Sequence, residues 1–184
     1  MGRVIAGMTM SLDGFVADAA GDVSRLYPDF AEFAASPSMA ATIAATGAVV
    51  MGRRTFEMGD PDAYVGQYEF QVPIFVVTTR PPTQPPKQDA HLTFTFVAEG
   101  VAAAIARARA AAGERDVQIV GGPNVIQQAL RAGLVDELHV DVMPVLLGDG
   151  LRLFSGTEAG LSQLSLRDIE RHGQRTGLRY RVSG

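Results

Sequence analysis

The sequence predicts an α/β fold built on a mixed, largely parallel β-sheet. Short apolar runs, typical of strands buried on both faces, alternate with alanine-rich or amphipathic segments through most of the chain. Near the carboxyl end, two segments instead alternate apolar and polar residues, as an antiparallel hairpin does. With 184 residues, 47% of them apolar, the chain is expected to fold over residues 1–184 as one domain with a sizeable core.

The predicted strands follow from these short runs and from the turn residues that bound them. In chain order, the buried strands are predicted at Arg3–Thr9, Gly47–Gly52, Pro73–Thr79, Thr93–Val97, Asp116–Gly121 and Val135–Leu147. Pro144 is expected to interrupt or end the last of them, because proline cannot donate a ladder hydrogen bond. The terminal hairpin is predicted from Leu164–Ile169 and Leu178–Val182.

Helices are predicted between the strands, at Asp29–Ala45, Arg53–Met58, Gly100–Ala112 and Pro123–Ala132. Asp29 suits a helix N-terminus by its charge, and Pro37 is expected to break or restart the first helix. The proline-rich segment Arg80–Asp89 must be a loop. We interpret Ala17–Pro28 as a surface loop as well.

Composition excludes several classes of function. The protein has no cysteine, which removes disulfides, thiolate catalysis and cysteine-based metal sites. The formal charge of −4 provides no electrostatic footprint for nucleic acid, so we expect no nucleic-acid partner. No apolar run is long enough to span a membrane, and Asp13 interrupts the first apolar stretch, so we expect a cytoplasmic protein without a signal peptide. His91, His139 and His172 lack metal-ligand spacing, and no metal is expected.

Three of the predicted buried strands end in residues that suit phosphate groups. In an open α/β sheet, ligands lie at the carboxyl ends of the strands. Gly52–Thr55 combine a helix N-terminus with two guanidinium groups. Thr78–Arg80 add two hydroxyls and another guanidinium, and Gly121–Asn124 open a helix with no Cβ to block close approach. The sequence lacks a complete P-loop, a G-x-G-x-x-G motif and a G-x-S-x-G motif.

Three acidic residues are candidates for proton transfer. Asp13 directly follows the first strand at the ligand edge, although capping of an Asx turn explains it equally well. Asp29 and Glu32 lie one turn apart on the first helix, where a solvent-exposed face or helix N-terminal charge is the alternative interpretation.

Motifs along nearly the whole sequence, in the same order, carry a resemblance to one superfamily. VVMGRRTFE resembles the strand-Gly-Arg-x-Thr-aromatic signature of dihydrofolate reductases, and IVGGPNVIQQAL resembles their strand-Gly-Gly-helix segment. Other segments are more similar to the C-terminal reductase domain of the bifunctional riboflavin-biosynthesis deaminase/reductase and its stand-alone relatives. These segments are VIAGMTMSLDGFVA, GLVDELHVDVMPVLLGDGLRLF and the terminal hairpin. The resemblance implies a dihydrofolate-reductase-like three-layer fold with a mixed, largely parallel central sheet and a C-terminal antiparallel hairpin.

The resemblance also implies NADPH as cofactor and indicates which residues hold it. The residues expected at the adenosine-side phosphates are Gly52, Arg53, Arg54 and Thr55. Those expected at the 2′-phosphate or adenine end are Thr78, Thr79 and Arg80. Those expected along the pyrophosphate and nicotinamide ribose are Gly121, Gly122, Asn124 and Val125, and in the family the Gly-Gly bond is often cis. Ala6 and the residues up to Gly14 are expected to border the nicotinamide and the substrate.

The implied activity is NADPH-dependent reduction of a small molecule, and three alternatives stay open. The first substrate is a phosphoribosylaminopyrimidine, as in a 5-amino-6-(5-phosphoribosylamino)uracil reductase. The second activity is reduction of a pterin or dihydrofolate-type C=N bond. Dihydrofolate reductases carry an acid on the first helix, and their usual spacing places it near Ser36, which is not an acid. Glu32 or Asp29 would then have to act as the acid. The third is a nucleotide-binding module without turnover. We expect a homodimer, since related reductases are commonly dimers.

Overall fold

The computed structural model describes residues 2–154, 156 and 163–183. Its strands are β1 (Val4–Ser11), β2 (Phe15–Ala17), β3 (Thr46–Gly52), β4 (Ile74–Val77), β5 (Phe94–Val97), β6 (Asp116–Ile119), β7 (Glu137–Met143), β8 (Leu151–Arg152), β9 (Gln163–His172) and β10 (Arg175–Ser183). Its α-helices are α1 (Phe30–Ala34), α2 (Pro37–Ala45), α3 (Arg53–Phe56), α4 (Tyr64–Gln67), α5 (Val101–Ala112) and α6 (Pro123–Arg131), with a 3₁₀ turn at Ser24–Leu26.

The described strands form one eight-stranded sheet in the order β5-β4-β3-β6-β1-β7-β10-β9, beside a small β2-β8 ribbon. The six strands from β5 to β7 pair in parallel, whereas β10 is antiparallel to both β7 and β9. The predicted mixed, largely parallel sheet with a C-terminal antiparallel hairpin is therefore confirmed. Among the described residues, none of the helices combines the length and apolar character needed to cross a bilayer.

Helices cover both faces of the sheet because strand side chains alternate between the two faces. Ala48 and Val50 of β3 pack on the side of α5 and α6, within one core cluster. Val49 and Met51 of the same strand pack on the opposite side, within a second cluster rich in aromatic residues. These two cores on either side of one sheet make the three layers that the resemblance implied.

Element boundaries agree with the sequence predictions at both prolines and differ in the first loop. Pro37 separates α1 from α2, and β7 ends directly before Pro144, as expected. The prediction of a surface loop over Ala17–Pro28 is wrong in part. Ala17 ends the buried strand β2, and the side chain of Leu26 is fully buried.

The segment before α1 is held on the sheet by Arg175, the first residue of β10, whose side chain is 0% exposed. Its Nη2 and Nε donate to Asp29 Oδ1 and Oδ2 at 2.7 and 3.1 Å. Nη1 donates to Thr9 Oγ1 at 2.8 Å, and Nη2 also donates to the carbonyl oxygen of Leu26 at 3.2 Å. The guanidinium carbon lies 4.6 Å from the ring centroid of Phe33. The buried charge is therefore paired, hydrogen-bonded and stacked at once.

We expect Arg175→Met to lower the free energy of unfolding by about 3 kcal/mol or more, because the half-buried Asp29 carboxylate loses its counter-charge. Urea unfolding with linear extrapolation measures this change. The matched control is Arg171→Ala in the same hairpin, an exposed residue whose Nε donates to the carbonyl oxygen of Gly173 at 3.2 Å. The control should stay within about 0.5 kcal/mol of the wild-type protein. An Arg175 variant as stable as the control would show that the buried network stabilises nothing.

Candidate functional site

The carboxyl ends of β4, β3 and β6 lie side by side, because these parallel strands are neighbours in the sheet. The loops that follow them are Thr78–Arg80, Gly52–Thr55 and Gly121–Val125, and we call the surface they form the arginine groove. The backbone N–H of Gly52 donates to the carbonyl oxygen of Gly121 at 2.8 Å, which joins two of these loops directly. The structure thus brings together the segments that the sequence predicted to bind phosphate groups.

Two consecutive glycines line the arginine groove and are joined by a cis peptide bond, Gly121–Gly122. Gly121 has φ +131°, and a Cβ there would come within 3.1 Å of both Met8 Cε and Thr55 Oγ1. The fold therefore requires glycine at 121. Gly122 has φ −81°, and a Cβ there would meet only Thr55 Oγ1 at 3.6 Å. The protein itself leaves room for a side chain at 122.

The arginine groove carries several guanidinium groups at its surface. Arg53 Nε donates to Glu57 Oε1 at 2.5 Å across one turn of α3. Arg54 and Arg80 are exposed to solvent. Because α3 is a single turn, these side chains, rather than its dipole, provide the positive charge at this end of the groove.

The remaining predicted groove residues are engaged locally. The hydroxyl of Thr78 accepts from Arg80 N at 3.0 Å and donates to Arg80 O at 3.2 Å, which closes a turn, and Thr79 is exposed beside it. Asn124 is exposed and accepts a hydrogen bond from the next turn of α6. Val125 is buried, and its Cγ2 would lie 3.2 Å from a Cβ at Gly52, so it lines the groove from below.

A cleft of about 200 Å³ adjoins the arginine groove, between α1 and α2 on one side and β1, β6, β7 and β10 on the other. We call it the aromatic cleft. Its apolar wall consists of Tyr27, Phe30, Phe33, Met39 and Phe70. Its polar lining consists of Thr9, Ser38, Thr42, Glu69, Gln118, His139, Asp141 and Arg179. Met8 and Val120, which also line it, adjoin Gly121 of the arginine groove.

The charges on the floor of the aromatic cleft are paired with each other. Arg179 donates from Nη1 to Asp141 at 2.8 Å and from Nη2 to Glu170 at 3.0 Å. A Cβ at Gly177 would lie 2.8 Å from Arg179 Nη2, so the glycine in β10 makes room for this guanidinium. Burial lowers the pKa of His139, which keeps its ring neutral at physiological pH.

A larger open depression of about 400 Å³ lies at the opposite end of the sheet, near the amino ends of β1 and β7. There Arg3 pairs with Asp116 at 2.6 Å and with Glu137 at 3.0 Å. Since ligands of open α/β sheets lie at the carboxyl ends of the strands, we place the functional site at the groove and cleft.

Asp13, the first acid that the sequence suggested, lies outside the lining of the aromatic cleft. Its carboxylate accepts from Ser11 Oγ at 2.6 Å and from the backbone N–H groups of Gly148 and Leu147 at 2.8 and 3.2 Å. The Ser11 hydrogen bond and these backbone donors lower the pKa of Asp13 to about 2. At neutral pH, Asp13 is therefore ionised and joins the turn after β1 to the segment after β7.

Of the residues predicted from Ala6 to Gly14, Gly7, Met8 and Thr9 line the cleft, whereas Ala6 and the two predicted helix acids lie outside its lining. Both carboxylate oxygens of Asp29 accept from Arg175, which lowers the pKa of Asp29. Glu32 is exposed on α1. Ala6 is fully buried in the core facing α5 and α6, and its neighbour Gly7 lines the cleft instead. The proton-transfer roles of Asp13, Asp29 and Glu32 stay predictions.

Sequence reasoning missed the charged residues that do line or support the aromatic cleft. In the sequence, Arg175 and Arg179 look like solvent-exposed charged residues of the terminal hairpin. Glu69 lies in the irregular segment between α4 and β4, where no motif marks it. A signal for Glu69 was present: it is the sole charged residue within residues 63–79. A single charged residue in an otherwise uncharged stretch is informative, because charged side chains are rarely buried without a functional or structural role.

The fold, the arginine groove and the aromatic cleft define a protein of the dihydrofolate-reductase-like α/β class. Residues 3–178 match the RibD C-terminal domain family, and the chain belongs to that family. The resemblance predicted from the sequence motifs is confirmed. This membership supports an oxidoreductase.

Individual relatives cover almost the full length of the protein. It is 28% identical over 178 residues to the uncharacterized protein YwjB of Bacillus subtilis, and the match covers 97% of each of the two proteins. A putative riboflavin biosynthesis protein from Shewanella sp. PV-4 has 24% identity and a TM-score of 0.77 over 99% of each protein. Dihydrofolate reductase from Enterococcus faecalis, solved with NADP(H), has 15% identity and a TM-score of 0.64 over 99% of this protein and 97% of that one.

Proposed function

We propose that the protein is an NADPH-dependent reductase. The observation that carries this proposal is the continuity of the arginine groove with the aromatic cleft at Met8 and Val120. Met8 lines the cleft, and its Cε lies 3.1 Å from the position of a Cβ on Gly121 in the groove. A dinucleotide in the groove would therefore bring its reactive end to the mouth of a cleft that holds a second small molecule.

The residues of the arginine groove fit NADPH by their chemistry. The nine-residue helix α6 begins after Gly122, and its first N–H groups suit a pyrophosphate. The guanidinium groups of Arg53, Arg54 and Arg80 suit the phosphates on the adenosine side. The absence of a side chain at Gly122 lets a phosphate or ribose approach the backbone closely. When bound, the nicotinamide supplies a hydride, and the protein supplies orientation and electrostatics.

For the substrate, we propose a phosphoribosylaminopyrimidine, in a reaction of the 5-amino-6-(5-phosphoribosylamino)uracil reductase type. The membership in the RibD C-terminal domain family and the likeness to a putative riboflavin biosynthesis protein support this substrate. The aromatic wall suits a planar pyrimidine, while Gln118 and Thr9 on the floor offer hydrogen-bonding groups to it. When the ribose ring is open, the ribosylamine holds a C=N group. Its carbon receives the hydride and its nitrogen receives a proton, which yields a ribityl group.

A pterin-type reductase with its acid on the first helix has weaker support. Neither Asp29 nor Glu32 is among the residues that line the aromatic cleft. The aromatic wall would nevertheless accept a planar pterin ring, and a direct measurement of turnover distinguishes the two substrate classes.

The decisive experiment follows the loss of NADPH absorbance with purified protein and a panel of aminopyrimidines and dihydropterins. We expect turnover with the phosphoribosylaminopyrimidine. Turnover with dihydropterins alone would favour the second activity. Tight binding of NADPH without turnover of any member of the panel would indicate a nucleotide-binding module.

We expect NADPH to bind more tightly than NADH, because the groove arginines can pair with the 2′-phosphate. Loss of one such charge-assisted contact should weaken NADPH binding by roughly ten- to a hundredfold. The double variant Arg53→Ala with Arg54→Ala should reduce the preference for NADPH, as measured by the dissociation constants of both cofactors. The matched control, Arg107→Ala with Arg171→Ala, removes two exposed arginines elsewhere and should leave the preference unchanged. Equal affinity of the wild-type protein for both cofactors would contradict this assignment.

We expect Gly122→Ala to weaken NADPH binding with little effect on folding, since the φ of −81° and the surrounding space both admit alanine. The matched control is Gly121→Ala, where φ is +131° and the new methyl group would press on Met8 and Thr55. The control should lower the melting temperature. If instead Gly122→Ala lowers the melting temperature and binds NADPH normally, then Gly122 serves the fold and not the cofactor.

A further inference from the structure

We propose that Glu69 is the acid of the aromatic cleft, which hydrogen-bonds a nitrogen of the bound ring system and delivers the proton that accompanies the hydride. The inference rests on the proposed reductase activity for its chemical step, although the contact with a ligand does not depend on turnover. It assigns a role to a residue that no motif in the sequence marked.

The position and environment of Glu69 suit a group that holds a proton. Its side chain lines the aromatic cleft together with Phe70 and Tyr27 and is half-buried. Burial raises the pKa of the Glu69 carboxyl, while a hydrogen bond from its own backbone N–H acts in the opposite direction. A carboxyl in an apolar site favours the protonated form, which is the form a proton donor needs near neutral pH.

The other charged groups around the cleft do not compensate the charge of Glu69. The titratable or charged groups that face the cleft from other elements are Tyr27, His139, Asp141 and Arg179, and those on the same segment are Tyr64 and Tyr68. Arg179 is held between Asp141 and Glu170, and burial keeps His139 neutral. Glu69 forms no ion pair within the part of the protein that the structure describes.

The remaining acid of the cleft, Asp141, is unsuited to the same task. Its Oδ1 accepts from Arg179 at 2.8 Å, and its Oδ2 lies 3.9 Å from Nη1 of Arg175. Both carboxylate oxygens of Asp141 thus face guanidinium groups of the protein, which leaves this carboxylate engaged in ion pairs rather than directed at a ligand. Glu69 is thus the only acid of the described cleft lining without a cationic partner.

The backbone around Glu69 is held firmly, which fixes the point from which its side chain extends. Gln71 donates from Nε2 to the carbonyl oxygens of Tyr64 and Tyr68 at 3.0 and 2.6 Å, and its Oε1 accepts from Gly66 N at 3.0 Å. The rings of Tyr68 and Phe70, on either side of Glu69, pack 5.7 Å apart. A catalytic group needs such support, because small displacements from the productive geometry lose much of its effect.

The chemical step balances with a reduced nicotinamide dinucleotide as the hydride donor. The hydride forms a C–H bond at the carbon of a C=N group as its π bond breaks. The Glu69 carboxyl transfers its proton to the nitrogen and becomes a carboxylate. The nicotinamide is oxidised, the C=N group is reduced to an amine, and Glu69 regains a proton from solvent.

The kinetic test compares Glu69→Gln with Glu32→Gln, which removes the rival acid on α1. The matched control is Glu114→Gln, an exposed glutamate between α5 and the amino end of β6. Because the protonated form is the active one, wild-type kcat should be constant at low pH and fall as pH rises through the raised pKa of Glu69. Glu69→Gln should lower kcat by at least about tenfold and abolish that decline, since glutamine has no proton to give. An inactive Glu32→Gln beside a fully active Glu69→Gln would overturn the proposal.

A second measurement needs neither cofactor nor turnover. Calorimetric titration of the cofactor-free protein with 2,4-diaminopyrimidine should show binding that Glu69→Gln weakens by about tenfold or more, because the ring nitrogen can take up the proton of Glu69 and form a charge-assisted pair that glutamine cannot form. The control variant Glu114→Gln should bind it as the wild-type protein does. Unchanged binding and unchanged kcat in a folded Glu69→Gln protein would overturn the contact. A loss of binding in a protein that reduces no substrate would instead support the contact and reject the reductase activity.

Discussion

The aromatic cleft depends on one buried guanidinium. Arg175 joins the carboxylate of Asp29, the hydroxyl of Thr9 and the carbonyl of Leu26, and so fixes the segment before α1 against the sheet. The desolvation cost of such a group is recovered only when every polar atom finds a partner, as here. Without this pairing, the segment that carries Tyr27 and Phe30 of the aromatic wall would not be fixed relative to the strands that form the floor of the cleft. The interaction therefore fixes the shape of the cleft, and removing one partner leaves the other buried charge uncompensated.

The two halves of the site are built by different means. The arginine groove is made largely of backbone, at the ends of neighbouring parallel strands and around Gly121 and Gly122. The aromatic cleft is made of side chains that come from elements far apart in the sequence. A groove formed by backbone tolerates change at most surrounding positions, whereas a cleft formed by side chains changes its selectivity with each of them. With the proposed cofactor in the groove, this arrangement would let the cleft change its substrate while the groove stays the same.

The local environment gives chemically similar carboxyl groups different pKa values. Hydrogen bonds lower the pKa of Asp13 to about 2, and Arg175 lowers the pKa of Asp29. Burial without a counter-charge raises the pKa of Glu69. Opposite shifts of this kind are how a protein assigns one carboxylate to structure and another to proton transfer. The most conspicuous acids in the sequence thus have structural duties, and the inconspicuous one lies in the cleft.

The sequence by itself determined the class of fold, the order of the strands of the main sheet and the loops that form the arginine groove, but it missed β2, β8 and α4. These features depend on local apolar periodicity, on glycine and proline, and on the rule that parallel strands present their carboxyl ends together. Only the tertiary structure decided the aromatic cleft. Arg175 meets a partner 146 residues away in Asp29, and Glu69 and Arg179 reach the same cleft from separate elements. Local patterns cannot reveal such pairs, because whether a charge is buried depends on a partner that only folding brings near.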